Sequence, residues 1–222
     1  FQVVALDLRG YNKSDQPKGV ENYKIEKLVS DVDAVRKHLK KDKITVVGHD
    51  WGGMIAWSYA MAHPKQCERL VVLNLPHPAC LMRELANNPA QHKASAYARN
   101  FQREGSEKLI SPVLLTFWVK EADAKKKYLE AFRRSSITAM LNYYRANYPR
   151  KPYKPQQLPK VKCPVLQIHG MKDKYLLAGA LKGTKKYLEG EYKLVRLPEQ
   201  GHFVHREAPK VVTKTMVEWL TR

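Results

Sequence analysis

Acidic residues are in short supply: 21 Asp and Glu stand against 40 Lys and Arg, which leaves a formal charge of +19 at pH 7. Such an excess raises nucleic acid or an anionic surface as a partner. No nucleic-acid motif accompanies it, and the lysines are scattered, the longest run being Lys125-Lys126-Lys127. The charge is therefore read as a solvated exterior, with no specific nucleic-acid partner. Long apolar runs are missing as well, so no membrane span is expected. The three cysteines, Cys67, Cys80 and Cys163, have neither disulfide-framework nor metal-ligand spacing. Free thiols, a reducing and cytoplasmic setting, and no metal or organic cofactor follow. There is no internal repeat or low-complexity segment. Residue 1 is not methionine and the chain opens inside a strand-like run, so more of the protein is expected ahead of it.

What is present is organised around Ile44 to Trp57. A short β-branched run, Ile44 to Val47, reads as a buried strand. Gly48-His49-Asp50-Trp51-Gly52 follows, then a helix-forming run from Met54 to Met61 that ends before His63-Pro64. Strand, sharp turn and helix are the setting of a nucleophile elbow, with small residues letting the chain turn tightly. The residue at its tip is Asp50. A serine there needs a base before it can attack, whereas an aspartate is already an anion at neutral pH. It can displace a leaving group from an sp³ carbon and leave an alkyl ester that water must cleave.

Around the elbow, Phe1 to Leu6 reads as a buried strand and Asp7 to Pro17 as its loop. Ile25, Leu28, Val32, Val35 and Leu39 recur at threes and fours, predicting an amphipathic helix over Asn22 to Lys40. Further strands are expected at Leu70–Asn74, Val165–Gly170 and Tyr192–Leu197. Helices are expected from about Leu177 to Leu188 and from the His202 loop to Leu220. Alternation of this kind gives a mostly parallel, doubly wound sheet, with ligands at the carboxyl ends of its strands. Between them the stretch from Leu75-Pro76-His77-Pro78 to about Tyr148 has only helical patterns, and Pro149 to Pro164 reads as an extended return linker. The expected division is a core of 1–78 and 161–222 with a helical cap and linker at 79–160.

Asp50, Asp173 and His202 then lie in loops after three strands, in the order nucleophile, acid, base. His202 suits a general base because its ordinary pKa lies near neutrality. Asp173 would accept its other ring N–H and fix the tautomer. Each residue alone is more often structural; the three in order at one sheet edge point to catalysis. His49, His63, His77 and His205 are read as structural, as are Tyr128, Tyr148 and Tyr175.

Gly48-His49-Asp50-Trp51-Gly52-Gly53, with Asp7-Leu8-Arg9-Gly10-Tyr11 and Ser14-Asp15-Gln16-Pro17 upstream and Gly201-His202-Phe203 downstream, resembles the epoxide hydrolases of the α/β-hydrolase fold. The resemblance covers essentially the whole chain. It implies that fold with a cap after the strand ending near Asn74, and Asp50 as nucleophile, His202 as base and Asp173 as its partner. It also implies two cap tyrosines that hydrogen-bond the epoxide oxygen. The segment Ser95 to Gln102 is similar to the first tyrosine segment, which points to Tyr97, and Leu141 to Arg145 to the second, which points to Tyr144. Tyr143 is the alternative to Tyr144 at a slip of one residue. The oxyanion would bind the Trp51 backbone N–H; the family's second donor sits in a His-Gly-x-Pro loop that does not occur in these residues, nor do the fold's first strands. The expected partners are a small epoxide and water, in a monomer or homodimer. The rivals are haloalkane dehalogenase, with the Trp51 and Trp118 indoles as halide donors, and a non-catalytic binding member of the fold.

Overall fold

The computed structural model describes all 222 residues, Phe1–Arg222. By compactness they form two units, Phe1–Leu28 with Tyr97–Tyr148, and Val29–Ala96 with Pro149–Arg222. In chain order the regular elements are α1 (Ile25–His38), β1 (Ile44–His49), α2 (Trp51–Ala62), β2 (Cys67–Leu73), α3 (Pro78–Asn87), α4 (Pro89–Ala94), α5 (Ala96–Phe101), α6 (Pro112–Leu115), α7 (Ala122–Arg134), α8 (Ile137–Asn147), β3 (Val165–Gly170), β4 (Tyr192–Leu197), α9 (Val204–Glu207) and α10 (Pro209–Leu220). Short 3-10 turns at Val20–Tyr23, Ser106–Leu109, Ala178–Leu181 and Thr184–Tyr187 complete the set.

The second unit is built on one sheet in the order β1-β2-β3-β4. Every pairing is parallel, with His49 opposite Leu73, Leu73 opposite Ile168 and Gly170 opposite Leu197. That register brings the loops after all four strands out at one edge. The central strands are covered on both faces, β3 being buried throughout and β2 from Leu70 onward, whereas the outer strands β1 and β4 expose Val47 and Arg196. On one side Val71, Leu73, Leu166, Ile168 and Leu197 pack with Val204, Val212 and Trp219 of α9 and α10. Helix α2 packs against β1 and β2. It is apolar around most of its circumference and buries Gly53, Ile55, Ala56, Trp57, Tyr59 and Ala60, as a core helix must. The three cysteines are free and buried.

In the first unit the Val20–Tyr23 turn packs on α8. The Asn147 amide joins the two, accepting from the Ile25 N–H at 2.7 Å and donating to the Tyr23 carbonyl at 2.7 Å. Gly10 approaches α8 so closely that a Cβ there would lie 2.8 Å from that of Ala139.

Three expectations change. Phe1 to Leu6 is exposed and belongs to no strand. A strand exists only by pairing, and this segment has no ladder partner, however apolar its sequence. The helix expected from Leu177 to Leu188 is two 3-10 turns, separated where Gly183 takes φ +80°. The helix expected over Asn22–Lys40 is interrupted at Lys24, whose ψ of 146° is extended, so α1 begins at Ile25. The elbow helix, by contrast, is longer than the Met54–Met61 run and starts directly after Asp50.

Backbone proximity at the loop edge is enforced by Gly170. A Cβ there would sit 2.1 Å from the Gly201 carbonyl oxygen and 2.6 Å from that of Gln200. Gly170→Ala should therefore lower stability by about 2 kcal/mol or more, since overpacking against backbone has no side chain to yield. The urea midpoint checks it; an unchanged midpoint would contradict the close approach.

Candidate active site

Each of the four strand-end loops contributes one polar residue: Asp50 and Asn74 come directly after β1 and β2, Asp173 after β3 and His202 after β4. Asp50 has φ +51° and ψ −121°, a strained conformation for a residue with a Cβ, of the kind concentrated at functional sites. The room for it comes from Gly48, where a Cβ would lie 2.1 Å from the Gly52 carbonyl oxygen. Gly52 itself is not needed for space: a Cβ there meets nothing within 4 Å. The strain turns the Asp50 side chain back onto its own helix, and Oδ1 accepts the Trp51 N–H at 2.7 Å.

The other oxygen, Oδ2, is 3.2 Å from His202 Nε2. On the far side of the ring, His202 Nδ1 is 2.8 Å from Asp173 Oδ2. The imidazole thus lies between two carboxylates. Asp173 is 4% exposed and is fully engaged: Oδ1 accepts the N–H groups of Tyr175 at 2.8 Å and Leu176 at 3.0 Å, and Oδ2 also accepts from Asn74 Nδ2 at 2.9 Å. A buried carboxylate with four donors is held ionised.

The His202 loop is fixed from three directions. Asn74 donates its second amide hydrogen to the Gly201 carbonyl at 3.0 Å. His49 Nε2 lies 2.8 Å from the His202 carbonyl, and as the carbonyl accepts, that nitrogen carries the proton. The Glu207 carboxylate accepts the N–H groups of Gly201 at 2.6 Å and Phe203 at 3.0 Å. The rings of His49, His202 and His205 are in contact, with centroids 4.8 Å apart for the first pair and 4.6 Å for His49 and His205.

Burial opposes ionisation of Asp50, but the hydrogen bond and charge of His202, with smaller help from His49 and the Trp51 N–H, hold its carboxyl down at about 2. Burial likewise opposes protonation of His202, yet its bonds to Asp173 and Asp50 and their charges push it up to about 10. Burial, then the charge of His49, brings His205 down to about 4, and burial followed by the charge of His202 lowers His49. At neutral pH the cluster therefore holds one imidazolium between two carboxylates, flanked by two neutral rings. No three His, Cys, Asp or Glu side chains come together as a metal site.

The tyrosines belong to the first unit. Tyr97 and Phe101 on α5 and Tyr144 and Tyr148 on α8 form one aromatic group, with Tyr97 6.1 Å from Tyr144 and Phe101 5.1 Å from it. Gln102 ties the helices together by donating to the Tyr144 and Tyr148 carbonyls at 3.1 and 2.8 Å. Tyr143 points elsewhere, as neighbours about 100° apart around a helix must. Its buried hydroxyl donates to the Arg9 carbonyl at 2.7 Å and its ring packs against Tyr11 and Tyr23. The substrate-binding role considered for Tyr143 finds its hydroxyl engaged with backbone. The same holds for Trp118, whose indole N–H donates to the Leu115 carbonyl at 2.9 Å. His77 caps α3, its Nδ1 accepting the Ala79 N–H at 3.3 Å, and stacks on Tyr187.

Sequence reasoning did not single out Asn74 or assign work to His49 and Glu207. Asn74 had a signal: a polar residue closing the apolar run Leu70–Leu73 and able to adopt the left-handed backbone (φ +51°) found there.

The sequence profile of the α/β hydrolase fold family matches residues 1–209. The chain is 32% identical to AB hydrolase superfamily protein YfhM of Bacillus subtilis over 99% of its own length and 80% of that protein. It is 30% identical to Epoxide hydrolase 3 of Xenopus tropicalis, over 99% of this chain but only 64% of that longer protein. Among solved structures it is similar to a Bacillus megaterium epoxide hydrolase in complex with an inhibitor, with a TM-score of 0.83, 32% identity, and coverage of 97% of this chain and 82% of that one. The chain belongs to the α/β hydrolase fold family, and within it is similar to epoxide hydrolases.

The charge distribution has a consequence for pH. A histidine whose folded pKa stands above its unfolded value stabilises the fold, fully below about pH 6.5 and no longer once pH rises through about 10. By NMR, His202 should titrate near 10, and Asp50→Asn should lower that value by removing one of its two carboxylates. A wild-type value near 6.5 would contradict the imidazolium assignment.

Proposed function

We propose that the chain is an epoxide hydrolase that opens an epoxide to a vicinal diol through a covalent ester on Asp50. The observation that carries this reading is the carboxylate at the elbow, ionised and linked through His202 to Asp173. Its similarity to epoxide hydrolases of the same fold supports the choice of substrate class.

Asp50 Oδ2, the oxygen off the Trp51 N–H, attacks an epoxide carbon. The ring C–O bond breaks, and the departing oxygen takes a proton from Tyr97 or Tyr144. Hydrogen bonds to an oxygen that becomes an alkoxide are worth more in the transition state than in the ground state, which is the condition for catalysis. The pairing of the two rings on α5 and α8 supports this role. Alkylation turns the Asp50 carboxylate into a neutral ester. His202 thereby loses one of the two charges that kept it protonated, its pKa falls, and its proton returns by way of solvent to the tyrosinate. The neutral imidazole, oriented by Asp173, then takes a proton from water as the water oxygen attacks the ester carbonyl. The oxyanion forms on Oδ1, against the Trp51 N–H and the N-terminus of α2. Collapse releases the diol alkoxide, which takes its proton from the regenerated Asp50 carboxyl.

The engaged indole of Trp118 weighs against haloalkane dehalogenase, which needs a second free donor for the halide. His202→Gln should still alkylate but not hydrolyse, leaving a persistent mass adduct on the Asp50 peptide. Turnover by that variant at the wild-type rate would sink the two-step route. Tyr97→Phe with Tyr144→Phe should slow single-turnover alkylation by a factor on the order of 10² or more, against unchanged ester hydrolysis; an unaffected alkylation rate would move the proton donors elsewhere. In wild type the ester-hydrolysis rate should rise with pH through an inflection well below 10, since the Asp50 charge is then gone.

A further inference from the structure

Between Leu109 and Val119 the chain runs for eleven residues without a charge, Leu-Ile-Ser-Pro-Val-Leu-Leu-Thr-Phe-Trp-Val, although 27% of its residues are charged. Lys108 and Lys120 bracket the stretch, and both are exposed. Such a run would ordinarily be core. Here four large apolar side chains point outward, with Leu109 79%, Val113 63%, Leu114 53% and Phe117 66% exposed. The stretch is nonetheless anchored, since Thr116 and Val119 are buried. The Trp118 ring packs edge-on against Tyr128 of α7.

Many of its polar groups are bonded locally. The N–H groups of Leu115, Thr116, Phe117 and Val119 donate to carbonyls within the segment, Leu114 N–H donates to Ser111 Oγ, and the Thr116 hydroxyl donates to the Val113 carbonyl. Each donor bonded within the segment lowers the cost of bringing it to the polar–apolar boundary of a bilayer, where the remaining donors still meet headgroups and water. Apolar and aromatic side chains flanked by lysines are the composition of an interfacial anchor, the lysine stems reaching back to the headgroups.

We propose that residues 108–120 dock the protein reversibly on an anionic phospholipid bilayer, with Leu109, Val113, Leu114 and Phe117 entering the headgroup–acyl boundary and Lys108 and Lys120 meeting anionic headgroups. A second protein is the poorer occupant, because four side chains from one short segment fall far below the roughly 20–30 residues a side of a standard protein interface. Charge selects the surface: the net +19 favours an anionic bilayer and works against a second copy of the same chain. Docking of this kind is peripheral; no helix of the protein is long and apolar enough to cross a membrane. It is independent of the proposed reaction.

The test is flotation of the full-length protein with vesicles of phosphatidylcholine, with and without phosphatidylserine. The protein should float with the mixed vesicles, and less at high salt. Leu114→Glu with Phe117→Glu should reduce the bound fraction at least about tenfold, with circular dichroism unchanged because both positions are exposed. Lys108→Gln with Lys120→Gln should reduce the preference for phosphatidylserine. Failure to float, or flotation untouched by the two glutamates, overturns the proposal, the latter pointing to the general positive charge. A dimer in light scattering that the glutamates dissolve, without lipid binding, overturns it in favour of self-association.

Discussion

The imidazolium of His202 held between the carboxylates of Asp50 and Asp173 is the interaction on which the rest of the site depends. Three ionised groups gathered in a largely buried site, with only the Asp50 carboxylate part-exposed, would be costly if any lacked a partner. Here each has several, and the partners come from every strand-end loop of the sheet. Asn74 donates to both Asp173 and the Gly201 carbonyl, His49 to the His202 carbonyl, and Glu207 accepts the flanking N–H groups. The parallel register supplies the geometry: four carboxyl ends side by side bring together residues more than 150 positions apart in sequence, as the His49–His202 contact illustrates.

The elbow serves the same arrangement at a local cost. A positive φ at a residue with a Cβ is unfavourable, and the close approach of Gly48 to Gly52 tolerates no larger side chain. In return the Asp50 carboxylate is divided between two functions, one oxygen against a backbone N–H and the other against the imidazole. The same network couples charge to chemistry. In the proposed reaction His202 is protonated and inactive as a base while Asp50 is ionised, and esterification of Asp50 would release the base. Under the proposed reaction the order of the two steps is thus built into the electrostatics.

Much of this was legible in the sequence because it is local. Gly-x-Asp-x-Gly after a β-branched run defines the elbow, and the strands at Val165–Gly170 and Tyr192–Leu197 have the expected bounds. What escaped depends on long-range pairing or on the direction of a side chain. The apolar Phe1 to Leu6 has the composition of a strand, but pairing is not encoded in composition. The Leu177–Leu188 helix yields to the left-handed Gly183. Adjacent Tyr143 and Tyr144 cannot be told apart by a motif, yet one hydroxyl meets the Arg9 carbonyl while the other ring joins Tyr97. Asn74 looks like a turn residue until the β3 and β4 loops are brought to it.

The most direct test of the central claim is a single turnover of an epoxide by the full-length protein in H₂¹⁸O, following both the diol and the Asp50 peptide by mass spectrometry. The ester route predicts that the label enters the Asp50 carboxylate while the first diol released is unlabelled. Label appearing in that first diol, with Asp50 unlabelled, would mean that water opens the ring itself and that Asp50 is not the nucleophile.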